Sequence, residues 1–222
     1  MIVAIDGPAA SGKTTVARRV AERLGFGVLP SGATYRALAF AALKRGLSPD
    51  EAEVMADLAG RVSIDIDGRP DAVRVTVDGE DVSAAIGSPV VAGAASRLSR
   101  HPAVRDRLVA LQRALAERLG DVVAEGRDMT TVVFADAPVK VYLDASPAER
   151  AHRRHAELAA CGRAAHLALS TVEADLAARD EQDTTRSAAP LTRTRDAHYL
   201  DTTDLGIEAV VDRIVDLVSR VP

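Results

Sequence analysis

Short apolar runs alternate with helix-period patterns along the chain. Ile2–Asp6, Phe26–Leu29, Val122–Glu125 and Val139–Asp144 are mostly apolar, as strands are when a parallel sheet buries both their faces. Tyr199–Asp201 is a last short strand. Helices are predicted over Lys13–Leu24, closed by Gly25 as a C′ glycine, and over Ala33–Arg45, closed by Gly46. Helical pattern then runs from about Pro89 to Leu119, from Ser146 to about Ala160, and from about Thr171 to Thr184. Ser48–Glu51 and Ser146–Glu149 both read Ser-Pro-x-Glu, a capping box with Pro at the first helical position. Ile207–Arg220 ends the pattern, with Ile207, Val210, Val211, Ile214, Leu217 and Val218 on one stripe. Val62–Asp67 and Val73–Asp78 instead alternate apolar with polar residues, with turn signals at Asp67-Gly68 and Asp78-Gly79. They interrupt the strand–helix order and predict a small antiparallel insertion. The sum is an α/β domain with a central parallel sheet of about five strands.

Composition narrows the classes. A chain of 222 residues suits one domain, or one with an inserted subdomain, and is long enough for a real core. Apolar residues make up 47% and aromatics 3%, with no Trp, so that core is aliphatic and disorder is excluded. A net charge of −4 argues against a general nucleic-acid binder. Cys161 is the only cysteine, which excludes an intrachain disulfide and fits a small inert residue. No run of 18 apolar residues occurs, and MIVAID enters a strand pattern without a signal peptide, so the expected compartment is the cytoplasm. The basic residues are uneven. Lys13, Lys44 and Lys140 are the only lysines, and the other 25 basic residues are Arg. Either a compositional bias or anion recognition accounts for this, since Arg binds phosphate and carboxylate in bidentate fashion.

Gly7-Pro8-Ala9-Ala10-Ser11-Gly12-Lys13-Thr14 fits G-x-x-x-x-G-K-[ST] between an apolar strand and a helix. Accidental matches at this chain's own residue usage number on the order of 0.002. The loop's backbone N–H groups wrap phosphates, Lys13 reaches the β/γ oxygens, and the Thr14 hydroxyl binds Mg²⁺. The following helix adds positive potential at its N-terminus. The motif serves switches, ATPases and small-molecule kinases alike, so other residues must discriminate.

A second set of charges falls at the same sheet edge. Glu125, Gly126, Arg127 and Asp128 follow the buried run Val122–Ala124. Arg36 opens a helix after Ser31-Gly32-Ala33-Thr34-Tyr35, where a solvated position is the simpler reading for Arg36 alone. Arg150, Arg153 and Arg154 share one helix face, as do Arg179, Asp183 and Arg186; solvated faces explain either set on spacing alone. Between them, Leu158–Ser170 fits the tip of a helical lid.

The segments IDGPAASGKTTVA, SGATYR, VAGAASRLSRHPAVRDRL, VVAEGRDMTTVVF, VKVYLDASPAERAHRR, ARDEQDTTRSAAPL and LDTTDL resemble bacterial cytidylate kinases nearly end to end. Adenylate and shikimate kinases share the core but lack most of these segments. The resemblance implies a P-loop three-layer sandwich with a helical lid and a small antiparallel insertion on the monophosphate side. The chain is expected to be one kinase domain: a core of residues 1–30, 120–145 and 197–222, a monophosphate-binding region 31–119 with its insertion at about 62–83, and a lid region 146–190. The implied reaction is ATP-dependent phosphorylation of CMP and dCMP by a cytoplasmic monomer, with Mg²⁺ and without nucleic-acid or membrane partners.

By the same resemblance, Arg36, Arg127 and Arg186 hold the acceptor monophosphate, Ser96, Arg105 and Asp128 read cytosine, and Arg179 and Asp183 contact the sugar. Ser31 and Tyr35 belong to the CMP side. Gly7 through Thr15, with Arg150 and Arg154, belong to the ATP side. Lys13, Arg127, Arg186 and Arg153 are expected to neutralise the transferring group. Chemistry agrees for the base: a carboxylate accepts from cytosine N4, whereas uracil would set an acceptor against it. Four positions depart from the family pattern: Pro30, Thr34, Thr130 and Gln182, where Asp, an apolar residue, Gly and Arg are usual. None is expected to touch an assigned site residue, so rate and fine specificity are expected to bear the difference. Kinases of UMP, AMP or shikimate are the nearest alternative, which the Arg105/Asp128 pair disfavours. A nucleotide switch would carry N-K-x-D, but Lys140 is followed by Val141-Tyr142. A structural protein with a vestigial site conflicts with the intact Gly12-Lys13-Thr14.

Overall fold

The computed structural model describes residues 1–160 and 167–221. Cys161, Gly162 and the rest of 161–166, the middle of the expected lid tip, lie outside the described residues. The strands β1 (Ile2–Asp6), β2 (Gly27–Pro30), β6 (Val122–Gly126), β7 (Val139–Asp144) and β8 (His198–Asp201) form a parallel sheet in the order β2-β6-β1-β7-β8. The register pairs Asp6 with Gly126 and Tyr142, Pro30 with Glu125, and Asp144 with Asp201. The polar ends of the apolar runs therefore meet along one C-terminal edge. Ligands of open α/β sheets bind there, where chain order reverses beside β1.

Strand alternation feeds two aliphatic layers. Val3, Ile5, Val28, Val123, Val141 and Leu143 pack on α1 (Lys13–Leu24) and α8 (Ile207–Ser219). Ala4, Leu29, Val122 and Ala124 face the other side, against α2 (Ser31–Lys44), α3 (Ala52–Arg61), α4 (Pro89–Leu98) and α5 (Pro102–Leu119). The α8 stripe is buried at Val210, Val211, Ile214 and Val218, but Ile207, its first residue, is 47% exposed. α6 (Pro147–Ala160) and α7 (Leu169–Thr185) pack on each other through Ala151, Val172 and Leu176, with Ala9 of the glycine loop in the same cluster. Among the described residues, no helix is long and apolar enough to cross a membrane.

The insertion is antiparallel as expected: β3 (Ile64–Asp67), β4 (Arg74–Val77) and a short β5 (Glu80–Asp81). Asp78 (φ 50°) and Gly79 (φ 82°) form its β4–β5 turn. The loop after β3 docks on the main sheet, where Val28 N–H donates to the Gly68 carbonyl at 2.7 Å.

Two expected helix boundaries differ. At Ser48–Glu51 no capping box forms. Ser48 Oγ accepts from Asp50 N at 3.3 Å in a turn, and α3 starts at Ala52 after an extended Glu51. The pattern from Pro89 to Leu119 is two helices, broken at 99–101. Pro102 disfavours helical dihedrals at His101, which sits at φ −81°, ψ 116°, its Nε2 2.9 Å from the Pro49 carbonyl. Only half of the second capping box forms: Glu149 N donates to Ser146 Oγ at 3.3 Å, but Ser146 N donates to Thr203 Oγ1 at 2.8 Å while the Glu149 carboxylate accepts from Arg153.

Candidate active site

β1 runs into the loop Gly7–Gly12, which enters α1 through Gly12 at φ 89°. Gly7 (φ 154°) lies against the β7 backbone; a Cβ there would stand 2.0 Å from the Leu143 carbonyl oxygen. The Lys13 ammonium donates to Pro8 O at 2.6 Å and Ser11 Oγ at 3.2 Å. Burial, and next the Arg127 charge, lower its pKa to about 7, against the pull of Glu125 and Asp6. Thr14 Oγ1 donates to Glu125 Oε1 at 2.9 Å. These two hard oxygen donors sit beside the phosphate loop and fit Mg²⁺, which takes its remaining ligands from water and phosphate.

A cavity of about 390 Å³ joins this loop to the second charge set. Ala9, Ala10, Gly12, Lys13, Thr14 and Thr15 line one side. Ser31, Tyr35 and Arg36 enter from α2, and Ser96 from α4. Arg105 comes from α5, Arg127 and Asp128 from the end of β6, and Arg154 from α6. Arg179 and Asp183 of α7, and Arg186 just beyond it, close the ring. The lining carries seven cationic side chains against four carboxylates. In a chain of net charge −4, that excess marks a site for polyanions.

The pairings are specific. Arg105 and Asp128 form a buried ion pair, and Arg105 also donates to Ser99 O at 3.2 Å. Asp183 accepts from Arg127 Nε at 2.9 Å and lies 3.6 Å from Arg186. Arg36 and Arg179 make no ion pair among the described residues. Arg36, Arg179 and Arg186 are all held below the usual guanidinium range, first by burial. Neighbouring arginines push the same way: Arg127 on Arg36 and Arg179, Arg105 on Arg186. Arg36 Nε, Arg186 Nη2 and the Tyr35 hydroxyl are buried without a hydrogen-bond partner among the described residues. Unpaired buried donors call for a partner, and in a cation-lined cavity an anionic ligand suits them. Burial pushes the Tyr35 phenol up to about 12, so it is neutral at physiological pH.

Several expected residues stand elsewhere. Gly7, Pro8 and Ser11 shape the loop but do not line the cavity. Arg150 donates to Ala145 O and Ala9 O and pairs with Asp180. Arg153 binds Glu149, Thr202 Oγ1 and Thr202 O, so its guanidinium clamps the segment after β8 rather than facing the cavity. Both arginines satisfy carbonyls near the loop, a use that helix-face spacing does not distinguish from anion binding.

Other residues emerge only in three dimensions. Asp180 accepts from Ala9 N at 3.1 Å and so ties α7 to the phosphate loop. Buried Asp6 accepts from Met129 N at 2.9 Å, and from Thr130 N and Thr130 Oγ1 at 2.7 Å. It thereby fixes the wide helical turn at Met129–Val133 just after Asp128. The Thr130 departure adds the hydroxyl bond to that set. Two departures touch assigned residues, contrary to expectation: Gln182 is hydrogen-bonded to Ser96, and Thr34 donates to Ser31 O at 2.7 Å while accepting from Gln112 at 2.9 Å, which explains a polar residue inside α2. Pro30 ends β2 and caps α2. Gly126 has no room for a side chain, since a Cβ would lie 2.3 Å from Ser31 Oγ.

A family model described as cytidylate kinase matches residues 3–220. The cytidylate kinase of Geobacillus sp. (strain WCH70) is 44% identical over 218 residues, 98% of this chain and 96% of its own. That of Pelotomaculum thermopropionicum is 46% identical over 220 residues, 98% of this chain and 95% of its own. Among solved structures, an uncharacterized protein from Eubacterium ventriosum has the same fold, with a TM-score of 0.55 at 11% identity, covering 99% of each chain.

Proposed function

The chain belongs to the cytidylate kinase family, and we propose that its cavity carries out ATP-dependent phosphorylation of CMP and dCMP to CDP and dCDP by in-line phosphoryl transfer. The observation that supports this most is one cavity joining a phosphate-cradling loop to a surplus of arginines. Two polyanions must be brought together there, and their mutual repulsion is the main obstacle. The acceptor phosphate is already anionic at pH 7, so no general base is needed. Positioning and electrostatics carry the rate.

In this reading the loop N–H groups and Lys13 hold the ATP phosphates, with Arg154 on the same side. Arg36, Arg127 and Arg186 hold the acceptor phosphate, with Ser31 and Tyr35 beside it. Asp183 and Arg179 take the sugar. Ser96, Arg105 and Asp128 read the base, Asp128 accepting from N4 and Arg105 donating to N3 and O2. Thr14 and Glu125 would hold Mg²⁺, which when bound screens the phosphate charge. Arg150 and Arg153 contribute by holding α6 against the loop and the segment after β8. The enzyme is proposed to be a cytoplasmic monomer without nucleic-acid partners.

The test is ADP release from ATP and Mg²⁺ with CMP, dCMP, UMP, AMP and shikimate in parallel. CMP and dCMP are expected to dominate. Equal turnover with UMP or AMP overturns the cytosine assignment, and no acceptor-dependent turnover overturns the kinase reading.

A further inference from the structure

Gln182 is a departure from the family pattern, and α7 brings it against Ser96 of α4. Gln182 Nε2 donates to the Ser96 carbonyl oxygen at 3.0 Å. Ser96 Oγ lies 3.1 Å from Gln182 Oε1. The two bonds fix each other's direction. A backbone carbonyl only accepts, so the amide nitrogen must be the atom beside it. The amide oxygen then faces Ser96 Oγ, and an amide oxygen only accepts. The single hydroxyl hydrogen of Ser96 is thus committed to Gln182, and only lone pairs remain for anything else.

From this we infer that Gln182 is a specificity-determining positioning residue, which turns Ser96 into an obligate acceptor toward the nucleobase. The inference rests on the proposed placement of the base beside Ser96, Arg105 and Asp128. A free serine hydroxyl rotates to suit either partner, donating to a carbonyl or accepting from an amine. A serine pinned by Gln182 does not. It accepts from the exocyclic amine of cytosine and opposes the carbonyl oxygen that uracil carries at that position. Rejection of the wrong base then comes from a buried acceptor left facing an acceptor. An arginine at 182 offers donors only, so it would leave the Ser96 hydrogen free to meet uracil. The same bridge joins α4 to α7, so the hydroxyl is oriented when these two walls are in contact.

The experiment compares kcat/KM for CMP and UMP in the wild type, Gln182→Met, Gln182→Arg, Ser96→Ala and the double variant Ser96→Ala/Gln182→Met. The CMP:UMP ratio is expected to fall about tenfold in Gln182→Met, as for one lost discriminating hydrogen bond. Gln182→Arg lowers it at least as far. In the Ser96→Ala background, Gln182→Met is expected to leave the ratio unchanged. A bridge that merely holds two helices together would lower kcat/KM for both nucleotides equally and keep the ratio, and that result overturns the proposal. So does a ratio shift in Gln182→Met that persists without the Ser96 hydroxyl. If Ser96→Ala itself leaves the ratio unmoved, the base-side placement of Ser96 has failed, and the role of Gln182 falls with it. A moved ratio in Ser96→Ala with an unmoved one in both Gln182 variants overturns the Gln182 role alone.

Discussion

Arg127 and Asp183 meet across the cavity, Nε to Oδ2 at 2.9 Å, and so join the end of a buried central strand to the helix opposite. The same carboxylate lies 3.6 Å from Arg186. One anion thus places two of the cations assigned to the acceptor phosphate. Arg127→Ala is expected to lower kcat/KM for CMP about 100-fold to 1000-fold, with kcat falling and KM for CMP rising. KM for ATP should move little. Arg127→Lys restores charge but not the planar fork, so steady-state kinetics should show only partial recovery.

Lys13 lies in the phosphate loop, buried and hydrogen-bonded to that loop. In the proposed reaction its ammonium serves the transferring phosphoryl group. Lys13→Met keeps length and loses the ammonium. A fall in kcat of about 1000-fold is expected, with circular dichroism showing the fold retained.

The phosphate loop was legible because its chemistry is contiguous, and so were Arg127 and Asp128, charges directly after an apolar run that only a buried strand explains. The α7 arginine and aspartate share a face by spacing, and the structure turns that face to the cavity. Long-range partnerships were not legible. Asp180 reaches Ala9 across 171 positions, and nothing local separates it from any solvated helix carboxylate. Arg153 has the same spacing as Arg154, yet only Arg154 lines the cavity. The difference is that Thr202 comes within reach of Arg153, which depends on where β8 ends. The break at His101 was signalled by Pro102 but masked by continuous apolar periodicity on both sides. Gln182 read as the loss of one cation; its reciprocal bonds to Ser96 arise only when α4 and α7 are brought together.

Thr14 and Glu125 supply the oxygens that fit the metal. Thr14→Ala is expected to raise the Mg²⁺ concentration for half-maximal velocity about 10-fold to 100-fold, with less change in KM for CMP. A magnesium titration at saturating ATP and CMP reads this directly. Chelation by EDTA should abolish turnover in the wild type.

Tyr35 presents a buried hydroxyl without a partner. Its pKa of about 12 lies above the normal phenol value, so the neutral form persists as pH rises through the working range. Tyr35→Phe should therefore lower kcat/KM for CMP by a factor, about 5-fold to 10-fold, that is constant from about pH 6 to pH 10. A loss confined to high pH would mean that the phenol titrates where the structure says it does not.

Asp6 accepts three hydrogen bonds from the turn that follows Asp128, through both carboxylate oxygens. Asn at this position turns one acceptor into a donor facing N–H or O–H groups. Asp6→Asn should thus cost about 1–3 kcal/mol of stability, seen as a lower Tm, and should lower kcat/KM for CMP by misplacing Asp128. The pH dependence has a definite sign. Burial raises the Asp6 pKa above the ordinary carboxylate value, against the hydrogen bonds from Thr130 and Met129. The folded state then holds a proton that the unfolded state has released. The stability Asp6 contributes is fully present below the unfolded value and declines as pH rises through the folded one. Asparagine has no such titration. The Tm advantage of the wild type over Asp6→Asn should accordingly be largest near pH 4 and shrink toward neutrality, as thermal melts at stepped pH would show. A gap that widens with pH would instead mean that the donors of the turn outweigh burial and hold Asp6 as the anion.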